Sequence, residues 1–391
     1  MAIPSIAFIP SGFKASKAYS VLPTNGNADL DVVRNSTATR INEGGLIEIM
    51  GLNVPRLDYI NGTCPSLLLE PQSTNLTLQS SLGVYDSGPT SVNLTTSPDG
   101  TNNGQIPVPS STSNRFAGPI SAGTYATDSK VVYSWYRKRI TTPVVTVYVG
   151  DLNFNVLVNC TQVGSTTQIE TDINGYDRFQ GVFNITDGSL YALIRGYFGQ
   201  VVGVGNSSVA YWGHQLESGT FATSLIYTTG TPVTRLKDEV SKSGLSSEIN
   251  SEEGVLFVEM AALADSSGFR QIALSDGTLS NVVHIYYTNT SNSLVFYLAV
   301  GGSIQVSSTV TISDETKNNK IAAKWKANDF SLWVNGSEVV TDTSGISFAA
   351  NVISKLSFDN GEGTNPFYGK VKQLQVFKTA LDDATLAALT S

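Results

Sequence analysis

The sequence predicts an all-β protein in which an irregular N-terminal segment precedes two β-sandwich domains and a short C-terminal helix. Three observations predict it. Charged residues make up only 14% of the 391-residue chain, against about a quarter in an average globular protein. Ser, Thr, Asn and Gly take their place, which is the composition of strands and turns. Hydrophobic residues reach 41%, enough to build cores. Apolar residues recur at period two in short runs bounded by Gly, Asn, Asp and Ser, and helical periodicity is nearly absent. The length calls for two or three domains.

Taken in order, residues 1–75 are rich in Pro and Gly, with "GLIEIM" and "SLLLEP" as short strands in irregular chain. No core of its own is evident in this segment, so it is expected to pack on a neighbouring subunit or a larger assembly. Residues 76–235 hold strand candidates at close spacing: 131–139, 144–150, 154–163, 167–173, 177–186 and 190–198. Alternation in the first puts Tyr133 and Trp135 on one face and Val132, Ser134 and Tyr136 on the other. Residues 236–253 carry the largest charge run and are expected to form a solvated linker. The third unit, 254–391, has candidates at 254–263, 270–276, 281–288, 293–300, 320–339, 355–361 and 368–378. Asn335-Gly336 between two apolar runs is a hairpin signal. The closing "TALDDATLAALTS" predicts a helix capped by Thr379 or Asp382, with Leu381, Leu386 and Leu389 on its apolar side.

Charge and cysteine content narrow the function classes. The net charge of −8 comes without a basic patch, which argues against a nucleic-acid partner. Cys64 and Cys160 do not make a disulfide framework and are expected to be buried free thiols. No segment reaches the length of a membrane-spanning helix, and the first residues do not resemble a secretion signal. The nine or so Asn-x-Ser/Thr triplets are read as by-products of an Asn- and Thr-rich composition.

Residues 254–391 resemble the concanavalin A-like or LamG-like lectin/glucanase sandwich family. The resemblance lies in "KWKANDFSLWVNGSEV" and the closing "FYGKVKQLQVFKTALDDATLAAL". Residues 40–76, "RINEGGLIEIMGLNVPRLDYINGTCPSLLLEPQSTNL", and 211–235, "YWGHQLESGTFATSLIYTTGTPVTR", resemble bacteriophage tail-fibre or virion-appendage proteins. Tyr227 stands where that pattern usually has Pro. The part between looks like a carbohydrate-binding-module jelly roll. The resemblance implies a structural protein of the virion, a homo-oligomer and by likeness to fibres a trimer. Its N-terminal segment would join other virion proteins, and its sandwiches would face the host-surface polysaccharide. The alternatives are an architectural decoration of capsid or tail without sugar binding, and a polysaccharide depolymerase.

Candidate chemistry is sparse. Sandwich glycosidases need carboxylates on one strand face; "ETDING" offers Glu170 and Asp172, but Gly175 stands where a third acid belongs. The two histidines, His214 and His284, lack the surroundings of a hydrolase triad or a zinc site. No catalytic residue is therefore assigned and no cofactor is expected, with calcium held open at Asp359, Asn360 and Glu362, a loop dense in oxygen ligands. Trp135, Tyr136, Trp325 and Trp333 are the candidates for stacking on a sugar ring, with core packing as the competing role. His284 alternates with Val282 and Tyr286. In 211–235, simple alternation puts Trp212, His214 and Leu216 on one face, the core side.

Overall fold

The computed structural model describes the chain apart from residues 1, 61, 63, 82–83, 86–90, 109–114, 118–127, 140–153, 157–159, 186–193, 198–208 and 266–267. The fold is all-β with one helix among the described residues, as composition and period predict. The expected strand at 144–150 and parts of 154–163 and 190–198 lie outside the described residues.

The C-terminal sandwich has an eight-stranded and a nine-stranded sheet. The eight-stranded sheet is built on Glu253–Ala262, which pairs with Asn319–Lys326 on one side and Gly369–Phe377 on the other. In the nine-stranded sheet, Arg270–Ser275, Val282–Tyr287, Ser293–Val300 and Ser303–Thr311 form an antiparallel meander. One face of each sheet turns inward. Leu256, Val258, Ile321 and Leu374 from the first meet Ile272, Val283, Ile285 and Phe296 from the second in a single fully buried core. The Asn335-Gly336 turn closes the hairpin between Phe330–Val334 and Ser337–Asp342. Both its residues have positive φ, 48° and 85°, which a type I′ turn requires. Asp382 caps the helix Asp383–Thr390 by accepting from the Thr385 amide at 2.7 Å. Leu381 and Leu386 then cover Val255, Phe257 and Trp333 on the outer face of the eight-stranded sheet.

Two expectations are corrected. The first is that residues 1–75, lacking an evident core of their own, pack on a neighbouring subunit or a larger assembly. Ile6–Phe8 pair with Gly369–Phe377, as do Ser66–Leu69. Leu30–Val33 pair with Glu239–Ser243. Ile6, Phe8, Leu30, Val32, Leu67 and Leu69 are all buried in the C-terminal core. These runs are too short to bury a face alone, so they complete sheets most of whose strands lie far further along the chain. The second is that 236–253 is a solvated linker. Glu239–Ser243 sits inside the nine-stranded sheet, between Leu30–Val33 and Lys355–Ser357. Val240, Leu245 and Ile249 are buried. Residues 76–235 therefore lie in sequence between two parts of one sandwich.

The middle unit has a six-stranded sheet, with Val209–Ser218, Lys130–Arg139 and Tyr176–Ile185 at its centre, and a four-stranded sheet. The expected partition of Tyr133 and Trp135 from Tyr136 holds, and both faces are buried. Trp135 stacks between Tyr133 and Phe179, with centroids 5.7 and 5.9 Å away. Tyr136 packs with Trp212, Ile173 and Tyr176 against Ile41 and Ile47, so the N-terminal hairpin of Ala38–Ile41 and Ile47–Met50 covers that face.

The expected alternation of Trp212, His214 and Leu216 fails at Gly213. Ser134 pairs with Gln215 but Tyr136 pairs with Trp212, so one extra residue is inserted opposite Trp135. Gly213 has φ 65°, the left-handed glycine of a β-bulge. The insertion turns Trp212 toward Tyr136 and the hairpin, and His214 toward Tyr133 on the other face.

The two stretches that carry the virion-protein resemblance interlock. Arg56 and Arg235 both clamp Glu70, at 2.5 and 2.7 Å. Asp238 binds Arg34 at 2.9 Å and also pairs with Arg56. All five side chains are at most 3% exposed. Burial alone would raise the Glu70 pKa, but the guanidinium groups of Arg235 and Arg56 outweigh it and hold the carboxyl well below the usual range. Ser224 adds its amide and hydroxyl to the same carboxylate, at 2.7 and 2.6 Å. Tyr227 also does more than fill a turn: it packs edge-on against Trp212 and donates to Asp99 at 2.9 Å.

Candidate functional site

A groove of about 190 Å³ lies open on the outer face of the nine-stranded sheet of the C-terminal sandwich. Strand alternation builds it. Val283, Ile285 and Tyr287 point into the core, so Val282, His284 and Tyr286 point outward. On the neighbouring strand Tyr297 lies directly across from His284, and on the other side Gln271 lies across from Tyr286. Three rings therefore share one patch: His284 is 5.6 Å from Tyr297 and 6.2 Å from Tyr286, between centroids. Tyr286 and Tyr297 are half-buried, each keeping part of its ring open. Phe269, 44% exposed, meets the edge of Tyr286 at 6.1 Å and extends the aromatic strip.

A loop folds over one side of this patch. Phe358 and Phe367 are buried at its two ends and joined by a 2.8 Å backbone hydrogen bond. Between them Asn360 closes the loop on itself: its amide donates to Thr364 Oγ1 at 2.7 Å, and its carbonyl oxygen accepts from the Glu362 and Thr364 amides. His284 Nε2 lies 2.6 Å from the Asn360 backbone carbonyl, which only accepts, so Nε2 carries the proton. Gln271 and exposed Asn365 complete the lining with side-chain amides.

The calcium candidates of this loop are partly engaged in the turn itself. Asp359 Oδ1 accepts from Ser357 Oγ and the Gly361 amide at 2.8 and 2.6 Å, so it shapes the turn, as does Asn360. Glu362 is exposed. Among the described residues, no three His, Cys, Asp or Glu side chains are grouped to hold a metal ion.

Most of the ring-stacking candidates are also placed elsewhere. Trp325 is fully buried and donates to the Ser251 carbonyl at 3.1 Å. Trp333 is closed in beneath the C-terminal helix, and Trp135 is 2% exposed. A ring packed on both faces has none to offer a sugar. Tyr136 is buried too, although its hydroxyl donates to Glu170 at 2.8 Å on the wall of a separate cleft. Glu170 and Asp172 do not pair: Glu170 is bridged to Arg178 at 3.0 Å, while Asp172 turns away to cap Gly175 at 3.1 Å. Glu217 is consumed by hydrogen bonds from Ser73, Thr223 and Gln215. Cys64 is exposed rather than buried, and Cys160's side chain lies outside the described residues. Sequence reasoning placed His284 and Tyr286 on one face but missed Tyr297 as their neighbour. The signal was the matching alternation in "VVHIYY" and "SLVFYLAV", which puts three rings in one row once the strands are adjacent.

Both histidines are buried, and burial lowers their pKa values, to about 3 for His214 and about 4 for His284. An unfolded histidine titrates near 6.5. Folded values below the unfolded one mean that this stability is fully present above about pH 6.5 and drains away as pH falls toward 4 and then 3. Stability is therefore expected to start falling below about pH 6.5, before carboxylates begin to protonate. Denaturation midpoints across pH 7 to 4 test this, and His214→Gln should flatten the decline. An undiminished slope in that variant would mean that His214 does not contribute.

No protein-family profile matches the chain, and no curated protein matches it. Solved structures do. The CBM40 of Ruminococcus gnavus IT-sialidase bound to alpha2,3 sialyllactose is 20% identical, over 36% of this chain and 83% of that one, with a TM-score of 0.32. A heptameric SAP-like pentraxin from Limulus polyphemus is 15% identical, over 37% and 71%, with a TM-score of 0.29. Sheep galectin-11 in complex with glycerol is 10% identical, over 32% and 86%, with a TM-score of 0.22. The chain is an all-β protein of β-sandwich architecture. At such scores the likenesses say nothing about its ligand. No helix among the described residues is long and apolar enough to cross a membrane.

Proposed function

We propose that this chain is a structural protein of a bacteriophage virion, a fibre or appendage subunit, that holds host-surface glycan in the groove of its C-terminal sandwich. The observation that carries the binding role is the row of Tyr286, His284 and Tyr297 beneath Asn365, with two rings partly open in a shallow groove edged by amides. A sugar ring offers an apolar C–H face and a rim of hydroxyls. Open tyrosine faces suit the first, and Gln271 and Asn365 suit the second. The virion role rests on the resemblance of residues 40–76 and 211–235. A homo-oligomer, a trimer by that resemblance, would turn weak single-site contacts into avidity. Binding without hydrolysis fits a groove whose lining contains no carboxylate.

The test is binding of purified protein to host-surface polysaccharide. Tyr286→Ala and Tyr297→Ala are each expected to weaken it roughly 3- to 10-fold, the value of one aromatic contact. Unchanged affinity in both variants would remove the groove from the proposal, and protein found off the particle by immuno-electron microscopy would remove the virion role.

A further inference from the structure

A second cavity, larger than the groove, lies elsewhere in the chain. It is a cleft of about 590 Å³ where the middle sheet, the N-terminal hairpin and the C-terminal sandwich meet. That volume lies within the range of small-molecule sites, about 300–1,000 Å³. Thr167, Ile169 and Glu170 line it from the middle sheet, Ile41 and Ile47 from the hairpin, and Lys370 from the C-terminal sandwich. Three parts of the chain thus contribute to one cavity.

The cations in its walls are each paired with a carboxylate. Arg178 holds Glu170 Oε1 at 3.0 Å, and the Tyr136 hydroxyl holds Oε2 at 2.8 Å. Lys370 lies 3.3 Å from Asp58 Oδ2, while Asp58 Oδ1 accepts from the Ile41 amide at 2.8 Å. Arg40 is bridged to Glu48 at 2.9 Å. Every cation of the lining has its own carboxylate, so an anionic ligand would find no unmatched positive charge and would face acceptor oxygens. A wholly apolar ligand would strip water from these ions at a cost that nothing returns. A ligand with hydroxyl donors and an apolar face suffers neither penalty. The Glu170 carboxylate keeps lone pairs beyond its two bonds and remains 15% exposed, so it stands ready as an acceptor already oriented. Ile41, Ile47 and Ile169 supply the apolar wall.

We propose that this cleft is a second binding site, taking a short neutral saccharide with Glu170 as the hydroxyl acceptor. It is independent of the groove, and the test keeps the two apart. Saturation-transfer NMR with a panel of neutral oligosaccharides is run on protein carrying Tyr286→Ala and Tyr297→Ala, so that the groove is disabled. Signal is expected to persist there, to weaken about tenfold or more on adding Glu170→Ala, and to vanish on adding Thr167→Trp, which narrows the cleft from an exposed rim position. Thr167→Trp is the deciding variant, because its exposed site leaves the thermal transition in place even where Glu170→Ala loosens the fold. No signal on the groove-disabled background, or a signal that Thr167→Trp leaves untouched, would overturn the proposal. A sialyllactose signal equal to that of the neutral sugars would also overturn it, since the cleft has no unmatched cation for a carboxylate.

Discussion

Replacing Asp238 with alanine is expected to lower stability by about 3–5 kcal/mol, the usual result of removing one partner from a buried ion network. Asp238 faces Arg34 and Arg56, and both guanidinium groups are fully buried. Three arginines and two carboxylates already leave one positive charge in excess in this network. Without Asp238 the excess becomes two, in a region with little access to water. Arg34 can fall back on the Gly51 and Val54 carbonyls, and Arg56 on Glu70 and the Thr39 carbonyl, which softens the loss without cancelling it. Urea denaturation measures the effect, and a change under about 1 kcal/mol would show that the network is solvated in solution. Because Arg34, Arg56 and Glu70 precede the middle unit in sequence, Arg235 ends it and Asp238 follows it, the variant should loosen the junction before either sandwich core.

Gly213→Val is expected to cost about 2–5 kcal/mol. A side chain at φ 65° has a strained backbone, worth about 1–2 kcal/mol. A Cβ there would also stand 2.5 Å from Tyr136 Cδ2, and Tyr136 is packed on all sides, so it cannot move aside cheaply. Overpacking adds about 1–3 kcal/mol. The readout is denaturation together with Trp212 fluorescence, since Trp212 packs on Tyr136. If Gly213→Val were as stable as the parent, the bulge would have to be able to slip, with Trp212 and His214 returning to a common face.

Local signals proved legible and long-range ones did not. The Asn335-Gly336 hairpin, the Asp382 cap and the shared face of Val282, His284 and Tyr286 each follow from a few consecutive residues. The pairing of Ile6–Phe8 with 374–376 does not, because three alternating residues fit the edge of many sheets. The run at 236–253 misled for a physical reason. Lys237 and Glu239 do lie at the surface, but Asp238 between them is buried by guanidinium groups supplied from positions 34 and 56. Nothing near Asp238 in sequence announces them. The bulge was announced, by a glycine inside an alternating run, a pattern that marks bulges generally. The ring candidates failed because Trp is large enough to be needed in a core wherever it falls in a strand, while the half-open rings are tyrosines.

The pairing of Ile6, Ala7 and Phe8 with Val376, Gln375 and Leu374 has a consequence for the order of synthesis. On a ribosome the first of these strands emerges long before its partner exists. The ladders of the middle unit between 91 and 218 close on residues made much sooner. The nascent chain is therefore expected to complete its middle before its beginning, holding Ile6, Phe8, Leu30 and Val32 unpaired meanwhile. Such non-local closure is slow, and the waiting strands are the part of the molecule most open to capture by a neighbouring chain during assembly.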